Sequence, residues 1–240
     1  MTPVLLPGNM CDARLWRGDD AVLVRSPALA GLNPPADADL TLDDSIDAMA
    51  SRALAATPGP LLPIGFSMGA IVATEMWVQA PERIAGLVLL GYNATADLPE
   101  RAAHRPDQQA EVRGGGLERV LVEELKPNYL ATRNRGNAVL LAVLRDMGLA
   151  LGPDVFVRQS EALRLRADRV AALASITVPV LLGCGMEDQL CPPAWHALWA
   201  ADIDDATLFS TPGAGHMLPL EAPALLAAQI DEWLITKGFS

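Results

Sequence analysis

Short apolar runs alternate along the chain with longer segments in which apolar residues recur every three or four positions. Continuous apolar runs are typical of strands buried on both faces, and the longer spacing is typical of amphipathic helices. Strand-like runs occur at 2–6, 21–25, 61–65, 86–91, 178–183 and 206–210. This alternation predicts an α/β fold with a mainly parallel sheet of about six strands and helices on both faces.

Residues 93–170 have helical rather than strand-like spacing. Apolar residues recur at Leu117, Val120 and Leu121 in one predicted helix, which Pro127 is expected to end. A glycine triplet at 114–116 predicts a hinge between two helices. The segment is therefore expected to add three to five helices between two strands of the sheet.

We expect a single domain spanning 1–240, with a core formed by 1–92 and 171–240 and a helical cap formed by about 93–170. The leucine, valine and methionine content of the cap predicts an apolar pocket for an acyl or alcohol group between cap and core. Three cap arginines could bind a carboxylate, but the preferred interpretation places them on solvated faces: Arg158, Arg164 and Arg166.

A nucleophile candidate follows the third predicted strand. Residues 65–69 read Gly-Phe-Ser-Met-Gly, and a helix-like run at 70–78 comes directly after them. A sharp turn from strand to helix needs small flanking residues and exposes the central hydroxyl at the carboxyl end of the sheet. The sequence therefore predicts that Ser67 is a nucleophile.

A serine hydroxyl needs a base, and the base needs an acid to orient it. Of the three histidines, His216 lies in a glycine-rich loop after the strand-like run 206–210, where a proton shuttle has room to move. His104 is expected on the cap surface or at the pocket entrance, and His196 is expected to be structural. His216 is therefore the predicted base.

Acyl transfer also needs N–H donors for the oxyanion that develops on the substrate. The backbone N–H of Met68, directly after the serine, is one predicted donor. The loop after the first strand supplies the other, with Asn9 preferred and Met10 as the alternative.

These motifs resemble the α/β-hydrolase superfamily, in particular its compact esterase and proline-iminopeptidase-like group. The similar segments run almost from end to end: 7–16, 65–69, 80–90, 185–193 and 215–223. Pro7 stands where the family usually has a histidine, so the hydrogen bonds of that histidine are lost. The chain also begins at a strand that relatives usually reach after two earlier ones, which predicts a sheet trimmed at that edge.

The resemblance implies that the acid lies between the serine and the histidine in the chain, just past a strand. Glu187 and Asp188 both follow the run 178–183, and we favour Asp188 because its shorter side chain holds an imidazole more tightly. Asp97, after the run 86–91, is a third candidate, because some family members place the acid there.

The resemblance therefore implies a carboxylesterase-like serine hydrolase of small esters. Ser67 attacks the carbonyl, His216 takes its proton, Asp188 orients the imidazole, and the N–H groups of Met68 and Asn9 receive the oxyanion. Neither a cofactor nor a metal is expected.

Other reactions use the same groups, because function is grafted onto this fold. Amide or peptide cleavage, carbon–carbon hydrolysis and a lyase step stay open, as does a small-molecule receptor without turnover. Peptidase action would need a cap glutamate to anchor an amine. The candidates are Glu111, Glu118, Glu123, Glu124 and Glu161.

The composition of the chain limits the classes of partner that we expect it to bind. A net charge of −11 and an aromatic content of 5% give no basic stripe or stacking platform, so we expect no nucleic-acid binding. Apolar residues make up 51% but form no span of about 18, and the start lacks a signal-peptide pattern. The odd number of cysteines (Cys11, Cys184 and Cys191) favours reduced thiols in a cytoplasm. We therefore expect a cytoplasmic monomer or homodimer that acts on a small ester, away from membranes.

Overall fold

A six-stranded sheet forms the centre of the computed structural model, which describes residues 1–18, 21–125 and 129–239. Within those ranges the strand order is β2-β1-β3-β4-β5-β6, and every neighbouring pair is parallel. The strands are β1 (Thr2–Leu6), β2 (Ala36–Asp37), β3 (Leu61–Phe66), β4 (Leu87–Leu90), β5 (Val180–Gly185) and β6 (Ala206–Thr211). The predicted fold class is confirmed.

One predicted strand is wrong. The run 21–25 is the short helix α1 (Val22–Arg25), whose Val22 is buried in the core. Periodicity cannot distinguish a strand from one helical turn in so short an apolar run. The sixth strand is instead β2, two residues that pair with Val4 and Leu5 of β1. Two residues are too few to leave a pattern in the sequence.

Helices cover both faces of the sheet because its strand residues alternate between two cores. Val4 and Leu89 belong to one hydrophobic cluster, and their neighbours Leu5 and Val88 belong to the other. Outside the segment between β4 and β5, the helices are α1, α2 (Pro27–Ala30), α3 (Ile46–Ala56), α4 (Met68–Gln79), α10 (Pro193–Ala201), α11 (Leu218–Glu221) and α12 (Pro223–Thr236). Turns of 3-10 helix lie at Ala13–Leu15, Pro81–Arg83 and Thr132–Asn134. None of the helices in the described ranges is long and apolar enough to cross a membrane.

The described residues between β4 and β5, here called the helical insertion, contain no strand and have a small core of their own. Gly115, at φ +96°, marks a kink in the predicted glycine hinge. Pro127, predicted to end a helix, lies outside the described residues. The helices are α5 (Pro99–Glu111), α6 (Leu117–Arg119), α7 (Ala138–Leu151), α8 (Pro153–Arg164) and α9 (Val170–Leu173), with wider π-helical turns at Val112–Gly116 and Val120–Leu125.

Candidate active site

Ser67 lies in a strained turn between β3 and α4, with φ +52° and ψ −114°. Its backbone N–H donates to the carbonyl of Leu90, 2.8 Å away on the neighbouring strand. A Cβ on Gly65 would lie 2.4 Å from the carbonyl oxygen of Gly69, and one on Gly69 would lie 2.0 Å from that of Leu6. Only glycine fits on either side of this serine, which explains the sequence motif.

The chain brings Ser67 and two of the other predicted residues into one hydrogen-bonded line. The Ser67 Oγ lies 3.0 Å from Nε2 of His216, and Nδ1 of the same ring lies 2.8 Å from Oδ2 of Asp188. Asp188 and His216 are both buried. A hydroxyl, an imidazole and a carboxylate in this order can move a proton from the hydroxyl to the ring.

The loop after β5 prepares Asp188 for an ionised role. Its Oδ1 accepts the backbone N–H groups of Leu190 and Cys191 at 2.9 and 2.8 Å. Burial acts to raise the pKa of Asp188, but the neighbouring His216 and these N–H donors outweigh burial and hold the pKa below its ordinary value. The carboxylate therefore stays charged and can accept the Nδ1 proton of the imidazole.

The alternative acids lie elsewhere. Glu187 accepts the backbone N–H of Thr132 at 2.8 Å, and its side chain points away from the imidazole toward the insertion. The side chain of Asp97 is buried, with its carboxylate 2.6 Å from Nε of Arg105 and 2.7 Å from Nη1 of Arg166. Neither carboxylate contacts the ring, so the geometry favours Asp188 among the three.

The remaining histidines have different surroundings. His196 is fully buried, and its Nε2 accepts the backbone N–H of Tyr92 at 2.9 Å. Burial lowers the pKa of His196, which keeps it neutral and in a packing role. His104 is half exposed at the mouth of the cavity described below, with Nε2 3.2 Å from Glu124.

The loop after β1 brings Asn9 to the same cavity as Ser67 and Met68. Met10, the alternative donor in the sequence analysis, gives its backbone N–H to Oε1 of Gln159 at 2.8 Å. Since the N–H of Met10 is occupied, the geometry favours the N–H of Asn9 beside that of Met68.

Gln159, on α8 of the insertion, was not predicted as a site residue from the sequence. It is buried, and its Oε1 also accepts the side-chain amide of Asn9 at 3.2 Å. Its Nε2 donates to the carbonyl of Leu40 at 3.0 Å. Met10 has φ +53°, and its buried side chain packs in the core of the insertion. The loop that lacks the usual histidine is therefore held by a glutamine from the insertion.

The cavity beside Ser67 has a volume of about 270 Å³, and its wall combines apolar and polar surface. The apolar pocket for an acyl or alcohol group stays a prediction: Ile71, Leu125 and Leu163 line the cavity, while other apolar residues of the insertion pack into its own core. Arg166 is buried in this wall rather than solvated as predicted. The lining residues are Asn9, Ser67, Met68, Ile71, Gly91, Asn93, Asp97, Arg101, His104, Arg105, Gln108, Glu124, Leu125, Tyr129, Leu163, Arg166, Leu190, Cys191 and His216.

One helix face supplies four of these polar groups: Arg101, His104, Arg105 and Gln108 of α5. Their spacing of three, four and seven places them on one face of a helix. The sequence therefore carried a signal for this wall. It was missed because a polar helical face is more often turned to solvent.

The thiols nearest the site are poor nucleophiles. Burial raises the pKa of Cys184 to about 12 and the pKa of Cys191 well above its ordinary value. Both thiols therefore remain protonated at neutral pH, and Ser67 is the better candidate for the nucleophile.

Comparisons with known proteins concern the chain as a whole rather than its individual site residues. The model of the alpha/beta hydrolase family matches residues 4–229. Polyketide synthase ThaQ of Burkholderia thailandensis is 29% identical over 96% of the chain, which spans 12% of that much longer protein. A pimeloyl-[acyl-carrier protein] methyl ester esterase of Nitrosomonas europaea is 28% identical, with 95% of the chain and 93% of the relative covered. The structure of a thermophilic esterase from Thermogutta terrifontis with malate bound superposes with a TM-score of 0.85 at 24% identity, over 98% of this chain and 90% of that one.

Proposed function

Because the chain belongs to the alpha/beta hydrolase family, we propose that it is a serine hydrolase that cleaves small carboxylic esters. The observation that carries the proposal is the line from Ser67 through His216 to Asp188, opening into a cavity of about 270 Å³. That volume lies just below the range of about 300–1,000 Å³ that drug-sized ligands occupy, which favours a small substrate.

The proposed reaction begins when Ser67 Oγ attacks the ester carbonyl and His216 Nε2 accepts its proton. Ionised Asp188 stabilises the imidazolium through Nδ1. The backbone N–H groups of Met68 and Asn9 donate to the oxyanion. Collapse of this intermediate breaks the carbon–oxygen bond, and the imidazolium protonates the leaving alcohol. Water then repeats the sequence on the acyl-enzyme and releases the acid.

Cleavage of a peptide with a free amine is less well supported. Such a substrate would need an unneutralised carboxylate in the cavity, and among the cap glutamates considered above only Glu124 lines the described wall. Glu124 is already paired with Arg119 at 2.7 Å and accepts the amide of Gln108 at 2.8 Å. Its carboxylate therefore already has an amide donor and a cationic partner, which it shares with Glu111 and Glu123. Esters are also the substrates named for the curated esterase relative.

Covalent labelling tests this function directly. A fluorophosphonate should label the wild-type protein on Ser67, and Ser67→Ala should abolish labelling and lower kcat for p-nitrophenyl acetate about a thousandfold or more. Ser51→Ala, on the exposed face of α3, serves as the matched control and should behave as wild type. Near-normal turnover by Ser67→Ala would overturn the proposal. Labelling without hydrolysis of any ester from acetate to decanoate would point to another substrate of the same serine.

A further inference from the structure

The cavity wall carries more positive than negative charge, although the chain as a whole is acidic. Its cationic side chains are Arg101, Arg105 and Arg166, and its carboxylates are Asp97 and Glu124. Glu124 pairs with Arg119, which lies outside the wall and also pairs with Glu111 and Glu123. The wall itself therefore has three arginines against two carboxylates, of which Asp97 is paired with Arg105 and Arg166.

Arg166 is fully engaged in holding that wall together. Its Nη1 lies 2.7 Å from Asp97 and 3.1 Å from the carbonyl of Leu163, and its Nε donates to the carbonyl of Thr95 at 2.9 Å. It is also buried. Arg166 and Asp97 thus form a structural pair, and we assign neither of them a contact with the substrate.

The two arginines of α5 are less engaged. Arg105 lines the cavity and donates to Asp97 from Nε at 2.6 Å and from Nη2 at 3.5 Å, and its Nη1 has no partner among the described residues. Arg101 makes no hydrogen bond or ion pair with any part of the chain that the structure describes, and it is half-buried. One turn separates them, so the two guanidinium groups can approach one ligand.

We infer that this cavity takes an ester whose acyl or alcohol part ends in a carboxylate, and that Arg101, assisted by Arg105, binds this carboxylate. The inference rests on the proposed function, because it places the ester carbonyl at Ser67. A guanidinium matches the two oxygens of a carboxylate with parallel N–H donors, and the pair is stronger in a partly water-excluded site. A carboxylate is also compact, which matters because the same 270 Å³ must hold the ester.

Two pairs of esters of similar size test charge and orientation. Monomethyl glutarate against methyl valerate, read by methanol release, places the carboxylate on the acyl side. 4-Acetoxybutyrate against butyl acetate, read by acetate release, places it on the alcohol side. In at least one pair, kcat/KM of the wild-type enzyme should favour the anion. Arg101→Gln should lower that preference about 10- to 100-fold, the value expected for hydrogen bonds to a charged group.

Arg101→Lys should retain part of the preference that Arg101→Gln loses, because lysine keeps the positive charge but not the two parallel N–H donors of the guanidinium. Arg113→Gln is the matched control, since Arg113 is exposed and lines a different cavity. Turnover of neutral esters with no preference for either anion, or a preference that survives Arg101→Gln, would overturn the inference while leaving the esterase proposal intact.

If no ester is hydrolysed, the esterase proposal fails and binding decides the inference. Calorimetry with glutarate on Ser67→Ala should then show binding that the added Arg101→Gln substitution removes. Absence of glutarate binding, or binding that is unchanged by that substitution, would refute the carboxylate site.

Discussion

Replacing Gln159 by leucine should lower kcat, although Gln159 contacts no reacting atom. The side chain of Gln159 fixes the backbone N–H of Met10 and the carboxamide of Asn9, and it donates to Leu40. In Gln159→Leu, the buried N–H of Met10 and the buried carbonyl of Leu40 lose their partners. Each unsatisfied group costs about 1–3 kcal/mol, so the free energy of unfolding should fall by about 2–6 kcal/mol.

The effect on turnover follows from the position of Asn9. Losing an oxyanion donor outright costs about 10²–10³ in kcat, and a displacement of about 1 Å can cost about 10². The loop keeps the packing of Met10 in the insertion core, so we expect displacement rather than loss, and kcat lower by about 10²-fold. KM should change little, because the interaction forms mainly in the transition state.

The assay measures kcat and KM for p-nitrophenyl acetate well below the unfolding temperature, with urea unfolding in parallel. Gln109→Leu is the matched control, since Gln109 is a buried glutamine of the insertion that bonds Ser160 and Glu161 instead. It should lose stability but keep kcat. Gln159→Glu retains an acceptor for Met10 and should recover part of kcat. If Gln159→Leu is destabilised but turns over at the wild-type rate, the loop does not depend on this side chain.

Three further predictions concern the acids and the insertion. Asp188→Asn should lower kcat by about 10³ to 10⁴ by favouring the wrong imidazole tautomer, whereas Glu187→Gln should cost little; steady-state kinetics that reverse this order would move the acid. Asp97→Asn leaves its two arginines unpaired and should lower the free energy of unfolding by about 3–5 kcal/mol at pH 7. Burial opposes but does not cancel the two arginines, which hold the pKa of Asp97 below its ordinary value. The stabilisation is therefore present above about pH 3.9 and lost as the pH falls through the folded pKa, so the difference in urea unfolding between variant and wild type should shrink as the pH is lowered below about 3.9. Gly115→Pro cannot keep φ +96° and should lower kcat/KM for p-nitrophenyl octanoate more than for the acetate; equal losses would show that the insertion does not select the substrate.

Much of the site could be predicted because its signals are local in the chain. Ser67 is marked by the two glycines that its turn requires, and Asp188 and His216 each follow a recognisable strand. A resemblance to a family then supplied their order. The same locality explains the five strands that were predicted at nearly their observed positions.

What could not be predicted depends on contacts between distant parts of the chain. Gln159 reaches Met10 across 149 positions, and nothing near it in sequence distinguishes it from an ordinary helix residue. The polar part of the cavity wall was not predicted, because it comes from a helix face of α5 that could equally have faced solvent. Composition shows which side chains are present but not which of two faces each one covers.

The strained turn at Ser67 lowers the stability of the fold at the same residue that carries the candidate nucleophilic hydroxyl. A non-glycine residue at φ +52° costs about 1–3 kcal/mol, a sizeable part of the 5–15 kcal/mol that holds an ordinary domain folded. Glycine at this position would relieve the strain and remove the hydroxyl. Stability alone would therefore favour glycine over serine at this position. The serine places a hydroxyl at the carboxyl end of the sheet at the expense of part of the free energy that keeps the chain folded.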